Sequence, residues 1–219
     1  MHKNKKLCII NLLFSFNFNQ QEETGSILKN KKKIVVFASG SGSSFENICK
    51  KFSKVNFIEI TKLYCNNYKA FVIERAKKQG IESFVFQNED LANKKILMDL
   101  QNVNPDLIVL AGFLKKIPAD IINKFNKRII NIHPSLLPKY GGNGMYGLKV
   151  HEKVIENKEK ETGFTIHYVD KNYDEGDIIF QKKLTIKTKN PVQLAKEVLK
   201  MEHKYYPEII LKCLNEDKS

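Results

Sequence analysis

Residues 33–66, KIVVFASGSGSSFENICKKFSKVNFIEITKLYCN, contain the pattern on which the fold depends. The apolar run KIVVFAS predicts a buried strand, and SSFENICKKFSK predicts a helix that begins at a serine. FIEITKLYCN then predicts a second strand. A helix that joins two strands implies a right-handed crossover, and therefore a parallel pair.

The same alternation continues towards Pro138. Strands are predicted at SFVF, DLIVLAGF and RIINIH, and helices at AFVIERAKKQG, LANKKILMDLQN and PADIINKFN. Beyond Pro138, a glycine-rich loop, GGNGMYG, precedes a short helix, two adjacent strands and a long helix that Pro207 is expected to interrupt. The short loop between those two strands predicts antiparallel pairing. The predicted class is α/β, with a mostly parallel central sheet, helices on both faces and an antiparallel C-terminal extension.

Length and composition fit one domain. The chain has 219 residues, of which 42% are hydrophobic, enough for a single core. We expect one domain over residues 32–219, after an extension, residues 1–31, that is disordered or results from a start codon assigned too early. The apolar run LCIINLLFSF in that extension is too short to cross a membrane. Four scattered cysteines without a CxxC pair suggest neither a zinc site nor a disulfide framework, and they favour the cytoplasm.

The formal charge of +13 does not by itself indicate a nucleic-acid-binding protein. Only Arg75 and Arg128 are arginines, and the lysines are spread along every segment. Recognition of phosphates and bases favours the bidentate arginine side chain, gathered into a basic patch. A general lysine and asparagine bias of the coding genome explains the charge more simply, although the excess would still favour small polyanionic substrates.

Three features should meet beyond the carboxyl ends of the strands, where open α/β sheets bind ligands. The first is SGSGSS, residues 39–44, whose glycines can turn backbone amides at a helix start towards an anion. A dinucleotide fingerprint would need glycine at Phe45 and an acidic residue after the second strand. Nicotinamide binding is therefore disfavoured, while binding of one phosphate, or a purely structural turn, remains open.

The second feature is RIINIH, which ends in Asn131 and His133. Strand alternation places both side chains on one face, and Pro134 and Pro138 stiffen the segment that follows. A histidine in a strand can equally be a satisfied structural residue. The paired amide and the position at the ligand edge favour a functional role.

The third feature is the turn HYVDKNYDEGD, residues 167–177. It carries four acidic side chains: Asp170, Asp174, Glu175 and Asp177. Acidic residues are common in turns for local backbone reasons. A carboxylate that reaches His133 would nonetheless keep its imidazole protonated and oriented.

Five segments resemble the phosphoribosylglycinamide formyltransferase family in order and approximate spacing. They are KIVVFASGSGSS, DLIVLAGFLKKI, RIINIHPSLLPKY, TGFTIHYVDKNYDEGDII and MEHKYYPEII, and the resemblance covers about residues 32–213. It implies a Rossmann-like formyltransferase fold. It also implies transfer of the formyl group of 10-formyltetrahydrofolate to the amine of 5-phosphoribosylglycinamide, in purine (IMP) biosynthesis. Small-molecule substrates are implied, with no metal, nicotinamide, nucleic acid or membrane, for a monomer or a homodimer.

The resemblance also implies roles for individual residues. The catalytic residues would be His133, Asn131 and Asp174. The residues that bind the ribonucleotide substrate would be Gly42, Ser43, Ser44 and Glu202. The residues that bind the folate would be Leu114, Lys115, Lys116, Ile117, Asp170 and Asn131. These residue types suit the chemistry independently, because an amide and an imidazole can both donate to the oxyanion of a tetrahedral intermediate.

The chain departs from the family pattern at several places. Ser44 replaces the usual asparagine, the segment between Gly80 and Gly112 is short, and GGNGMYGLKVH keeps only His151 of two family histidines. Three alternatives stay open at this point. They are a methionyl-tRNA formyltransferase, a formyltetrahydrofolate hydrolase, and a non-catalytic nucleotide- or nucleic-acid-binding module. The last predicts that Asn131, His133 and Asp174 need not converge.

Overall fold

The structure is a computed structural model that describes residues 31–216; the predicted extension lies outside this range except for Lys31. Its strands form one sheet in the order β3-β2-β1-β4-β5-β6-β7. The strands are β1 Lys32–Ala38, β2 Ile58–Cys65, β3 Glu82–Val85, β4 Leu107–Leu110, β5 Ile129–His133, β6 Glu161–Tyr168 and β7 Ile178–Thr185.

Helices follow most of the strands. They are α1 Ser43–Phe52, α2 Val72–Lys78, α3 Asn88–Ala92, α4 Lys95–Val103, α5 Ala119–Lys124, α6 Leu148–Glu156 and α7 Pro191–Asn215. Strands β1 to β5 pair in parallel, whereas β6 pairs antiparallel with both β5 and β7. The predicted class, a mostly parallel α/β sheet with an antiparallel C-terminal extension, is confirmed.

Two predicted helices differ in the structure. The helix predicted at residues 91–102 is divided into α3 and α4, because Lys94 adopts a left-handed backbone conformation, φ 64°. The predicted interruption at Pro207 is wrong, since α7 runs through it. A proline leaves the carbonyl four residues earlier without its helical donor. Here that carbonyl, of His203, accepts a hydrogen bond from Asn47 Nδ2 at 2.7 Å.

The central strands are apolar on both faces because helices cover both. In β1, Ile34 and Val36 belong to a core with α1, α2 and α7, whereas Val35 and Phe37 belong to a second core with α4 and α5. All four side chains are fully buried. This is the burial expected of parallel strands between two helical layers.

Strand order reverses between β1 and β4. The chain first winds outwards from β1 through β2 to β3, and then crosses back to place β4 on the other side of β1. Crossovers that diverge in this way leave a crevice beyond the carboxyl ends of the strands. In residues 31–216, no helix has both the length and the apolar character to cross a membrane.

Candidate active site

A cleft of about 460 Å³ opens beyond the carboxyl ends of β1, β4 and β5. Its walls come from four segments that are distant in sequence: the turn before α1, the loop after β4, the glycine-rich loop before α6 and the turn between β6 and β7. Helix α7 closes one side with Leu199 and Glu202. All three features predicted to meet at this edge therefore lie in one cavity.

Strand β5 brings Asn131 and His133 to the cleft. Its antiparallel pairing with β6 sets Asn131 opposite His167 and His133 opposite Thr165. The Thr165 hydroxyl donates to Ser135 O at 2.7 Å and accepts from Leu137 N–H at 3.0 Å, which fixes the chain as it leaves β5. Asn131 and His133 thus stand on a strand whose exit is hydrogen-bonded to its neighbour.

Asp174 reaches both residues from the turn after β6. Its Oδ2 lies 3.4 Å from His133 Nδ1 and accepts from Gly142 N–H at 2.9 Å. Its Oδ1 lies 3.4 Å from Asn131 Nδ2. The backbone of Asp174 is left-handed, φ 58°, a conformation that aspartate and asparagine tolerate better than most residues. Asp174 therefore contacts each of the other two predicted catalytic residues.

The turn that carries Asp174 has little room to move. A Cβ atom on Gly176 would lie 1.9 Å from the carbonyl oxygen of Tyr168. Only glycine permits this close approach of backbone to backbone. The position of Asp174 is thus set by the packing of its own turn as well as by the contacts of its carboxylate.

The electrostatics of this pair differ from the sequence-based expectation. Burial raises the pKa of Asp174, but its contacts with His167, His133 and Gly142 N–H outweigh burial, so the net pKa lies below the ordinary value. Burial lowers the pKa of His133, and the opposing effect of Asp174 does not compensate. The sequence-based expectation that the carboxylate favours the protonated imidazole does not match this balance, because burial outweighs Asp174 and the pKa of His133 lies below its ordinary value.

The neutral imidazole of His133 has a defined tautomer. Its Nε2 lies 2.7 Å from the carbonyl oxygen of Tyr140. A carbonyl only accepts hydrogen bonds, so Nε2 carries the proton and Nδ1 is the free base that faces Asp174. Tyr140 itself is anchored, since its hydroxyl group contacts Glu159 at 3.0 Å and Asn157 at 2.8 Å.

Sequence reasoning missed His167. This histidine is 2% exposed, and its Nε2 lies 3.2 Å from Asn131 Nδ2 and 3.5 Å from Asp174 Oδ1. Its Nδ1 lies 2.8 Å from the carbonyl oxygen of Tyr168. Strand pairing was the available signal: if β6 lies antiparallel beside β5, some residue of β6 must stand opposite Asn131.

The turn predicted to bind phosphate lies at the start of α1. Gly42 is left-handed, φ 77°, and a Cβ atom there would lie 2.4 Å from Val72 Cγ2. Glycine is therefore required for both conformation and space. Ser43 and Ser44 line the cleft, and Ser44 Oγ lies 3.4 Å from Nε2 of His203.

Glu202 lines the cleft from α7 and is 8% exposed. Burial alone raises its pKa to about 7. Within residues 31–216, no hydrogen bond or ion pair to its carboxylate is found, in line with burial as the sole influence on its pKa. The Glu202 carboxyl group therefore has a pKa close to neutral pH, and its oxygens are available to accept hydrogen bonds from a ligand.

The residues predicted to bind folate also line the cleft. Leu114 is 47% exposed, whereas Ile117, at 3% exposed, is packed into the core. Lys115 and Asp170 line the cavity, and Lys116 Nζ lies 5.8 Å from the centre of the Tyr173 ring. A lining that combines apolar side chains with a few polar groups suits a flat, partly polar ring system.

His151 lies in α6 under the glycine-rich loop and is 3% exposed. Burial, and secondarily the proximity of His133, lower its pKa to about 4. Its Nδ1 is buried and finds no hydrogen-bond partner among residues 31–216. In the same range, no group of three or more histidine, cysteine, aspartate or glutamate side chains is arranged to hold a metal ion.

A Rossmann-like sheet that presents an amide, an imidazole and a carboxylate at its carboxyl edge defines a class of group-transfer enzyme, because these groups suit the oxyanion and the proton of an acyl transfer. Residues 32–210 match the sequence profile of the formyl transferase family. The chain belongs to this family.

Individual relatives of this chain are also named as formyltransferases. The chain is 37% identical over 190 residues to phosphoribosylglycinamide formyltransferase of Bacillus subtilis, covering 84% of this chain and 95% of that protein. It is 39% identical over 189 residues to the chloroplastic phosphoribosylglycinamide formyltransferase of Arabidopsis thaliana, covering 82% of this chain. The chain spans 64% of the length of that plant relative.

The fold is shared with solved structures. The crystal structure of glycinamide ribonucleotide transformylase 1 from Geobacillus kaustophilus matches with a TM-score of 0.77 at 31% identity, covering 85% of this chain and all of that chain. The similarity therefore extends over the sheet and its helices rather than over one motif.

Proposed function

We propose that this protein transfers the formyl group of 10-formyltetrahydrofolate to the amine of 5-phosphoribosylglycinamide. The observation that carries the proposal is the convergence of Asn131, His133 and Asp174, with separations of 3.4 Å, in a cleft that also reaches the turn before α1. The relatives named above supply the substrate class. A binding module would not need these three side chains to meet.

The chemistry begins when the neutral amine attacks the formyl carbon. The carbonyl oxygen then gains negative charge in a tetrahedral intermediate, and a donor placed towards that oxygen lowers the barrier by about 2.7 to 4 kcal/mol. Asn131 lines the cleft and offers its amide hydrogens. We assign it as a donor to the oxyanion.

His133 and Asp174 are assigned to the proton that the amine loses. The free base Nδ1 of His133 faces Asp174 Oδ2 at 3.4 Å, so a proton gained there lies against a carboxylate. The resulting imidazolium is stabilised at the moment when the intermediate is anionic. Collapse of the intermediate then breaks the bond between the formyl carbon and the folate nitrogen, which takes up that proton and leaves as tetrahydrofolate while the formyl group stays on the amine. Donation from Nε2 to the formyl oxygen would require that oxygen to replace the Tyr140 carbonyl, now at 2.7 Å.

The two substrates would enter from opposite ends. The phosphate would bind the backbone amides at Gly42, Ser43 and Ser44, where the positive end of the α1 dipole also favours an anion. Glu202, lacking a partner, would accept hydrogen bonds from the ribonucleotide. The pterin would lie between residues 114–117 and residues 170–174.

We also propose that the protein acts in the cytoplasm. Cys49 and Cys65 are buried cysteines that form no disulfide bond. Free buried thiols suit a reducing compartment. The name of the Arabidopsis relative places that protein in the chloroplast, so a tagged chain imaged in its own cells is the relevant measurement.

A spectrophotometric formyl-transfer assay tests the activity. The wild-type protein is incubated with 10-formyltetrahydrofolate and one of three acceptors: 5-phosphoribosylglycinamide, methionyl-tRNA or water alone. We expect rapid transfer to the ribonucleotide only. His133→Ala should lower kcat by about 10²- to 10³-fold, the usual loss for a group that acts in the transition state.

Thr162→Val, which alters a buried residue of β6 outside the cleft lining, is the matched control and should retain wild-type kcat. Transfer to methionyl-tRNA alone would replace the proposal by the tRNA formyltransferase alternative. Formyl release without an acceptor, at the same rate, would favour a hydrolase.

A further inference from the structure

The turn before α1 is fastened to α2 through two of its backbone carbonyl groups. Val72 N–H donates to the carbonyl oxygen of Gly40 at 3.1 Å, and Arg75 Nε donates to that of Ser41 at 2.9 Å. The side chain of Val72 also fills the space that a Cβ atom on Gly42 would need. Helix α2, none of whose residues lines the cleft, therefore supports the turn from outside.

Fixing a carbonyl group also fixes the amide that follows it. In a trans peptide the C=O and N–H bonds point in opposite directions. Because the Ser41 carbonyl is directed to Arg75, the N–H group of Gly42 points away from that side chain. Within residues 31–216, no acceptor is found for the amides of Gly42, Ser43 and Ser44, and both of these serines line the cleft. The turn thus offers a row of unpaired donors, which suits an anion.

Arg75 also contacts a carboxylate that lies close to these amides. Its Nη1 forms an ion pair with Oε2 of Glu46, which stands in the first turn of α1. Lys50 Nζ lies 3.2 Å from the same oxygen, but Lys50 is 65% exposed, against 22% for Arg75. The hydrogen bond from Lys50, together with the charge of Arg75, holds the pKa of Glu46 below its ordinary value. An uncompensated charge on Glu46 would repel a phosphate at the start of α1.

One guanidinium group makes both contacts because its donors lie in a rigid plane. That plane rests on an aromatic ring, since Cζ of Arg75 lies 5.0 Å from the centre of the Phe71 ring. We propose that Arg75 is a positioning residue of the ribonucleotide site. It holds the turn so that amides, and not the Ser41 carbonyl oxygen, face the phosphate, and it offsets the charge of Glu46. This inference rests on the proposed function for the identity of the phosphate ligand.

Three variants separate this role from simple packing. Arg75→Met removes the charge and the donors but keeps an unbranched stem that can cover Phe71. Arg75→Met/Glu46→Gln also removes the carboxylate that Arg75 offsets. Arg128→Met is the matched control: Arg128 Cζ lies 4.9 Å from the centre of the Phe125 ring, and its guanidinium donates to backbone carbonyl groups outside the cleft lining.

Two acceptors, 5-phosphoribosylglycinamide and the ribosylglycinamide without the phosphate, distinguish a role at the phosphate from a general structural role. For the phosphorylated acceptor, Arg75→Met should raise KM about 10-fold, with kcat and the KM for folate within about twofold, because the lost contacts act equally on bound substrate and transition state. For the other acceptor, KM should change less than about twofold. The double variant should recover at least about threefold of the loss, and Arg128→Met should behave as wild type.

An equal rise in KM for the two acceptors, or an unchanged KM in Arg75→Met, would overturn the inference. Calorimetric titration with 5-phosphoribosylglycinamide alone provides a measurement without turnover, and its Kd should rise about 10-fold in Arg75→Met. A wild-type protein that binds the ribonucleotide but transfers no formyl group would reject the proposed function alone, since the Kd values would still decide the role of Arg75.

Arg75→Lys keeps the inference open to test if Arg75→Met does not fold. Lysine retains the charge but lacks the rigid fork that joins the Ser41 carbonyl to Glu46. We expect a rise of about threefold in KM for the phosphorylated acceptor and no change for the acceptor without the phosphate. Identical constants in Arg75→Lys and wild type for both acceptors would contradict the role of the fork.

Discussion

Asp174 in the cleft and Asp99 on α4 are both partly buried carboxylates with several polar neighbours, but their environments differ. Both carboxylate oxygens of Asp99 accept a hydrogen bond from Lys62 Nζ at 3.2 Å, and Oδ2 also accepts one from the Tyr64 hydroxyl group. Lys62 additionally contacts Glu82 at 3.1 Å. Asp174 has one short bond, from Gly142 N–H, and longer contacts of 3.4 to 3.5 Å with three side chains.

This difference separates a structural cluster from a reactive one. Burial opposes the charge of Lys62, yet its bonds to Glu82 and Asp99 outweigh burial and raise its pKa, so the charged form of Lys62 is favoured. Around Asp174, the neighbouring imidazole of His133 has a lowered pKa and an unprotonated nitrogen. A cluster that is to move a proton must retain such an unsatisfied acceptor.

The largest expected effect is on catalysis at Asp174. Asp174→Asn keeps a residue that tolerates the left-handed backbone but removes the charge that would stabilise an imidazolium at His133. We expect kcat to fall by about 10²- to 10³-fold, a loss comparable to that of other transition-state electrostatic contacts. Steady-state kinetics measures it, with circular dichroism to verify folding. Activity within tenfold of wild type would remove the distinction drawn between the two carboxylates.

The cleft should also show two opposing pH effects on stability in the weakly acidic range. His151, with its pKa lowered to about 4, stabilises the fold above its ordinary value of 6.5, and this contribution is lost as pH falls from 6.5 towards 4. Glu202, with its pKa raised to about 7, favours the fold below its ordinary value of 4.5, and this contribution is lost as pH rises from 4.5 to 7.

These two effects largely cancel in the wild-type protein between pH 4.5 and 6.5. Single variants should reveal each one, since a shift of one pKa unit corresponds to about 1.4 kcal/mol and each group can contribute up to about 3 kcal/mol. For His151→Leu, the free energy of unfolding should fall as pH rises through this window, whereas for Glu202→Gln it should rise. Urea unfolding at several pH values measures both slopes, and parallel curves for the two variants would contradict the assignment.

Asp99→Asn should lower the stability of the fold without affecting catalysis, whereas Asp174→Asn should mainly impair catalysis. Removing one charged partner leaves Lys62, whose side chain is 11% exposed, with an incomplete set of acceptors. We expect a loss of about 2 kcal/mol in the free energy of unfolding, typical of a buried group deprived of a charged partner. Catalysis should be unchanged, because Asp99 does not line the cleft. An Asp99→Asn variant with wild-type stability and impaired kcat would contradict the assignment of Asp99 to a structural cluster.

The same contrast explains which features the sequence could predict. Strand alternation was enough to put Asn131 and His133 on one face, and the parallel order placed them at the ligand edge. The protonation state of His133 could not be predicted, because it depends on burial that only the folded chain creates. His167 was missed because its position opposite Asn131 depends on the register between β5 and β6, which no local pattern specifies. Continuation of α7 through Pro207 likewise depends on Asn47, a residue of a distant helix.

The smallest effect concerns a polar group that is unsatisfied but lies outside the cleft. The hydroxyl group of Thr162 on β6 is buried and has no hydrogen-bond partner among residues 31–216. If an unsatisfied group marks function only when it faces the cleft, Thr162 contributes nothing to catalysis and slightly destabilises the fold. Thr162→Val replaces the hydroxyl group by a methyl group of similar size, so the free energy of unfolding should rise by up to about 1 kcal/mol, the cost of leaving one such group unpaired. Thermal and urea unfolding measure the gain, and kinetics should be unchanged. A loss of stability would mean that the Thr162 hydroxyl group does have a hydrogen-bond partner, such as an ordered water.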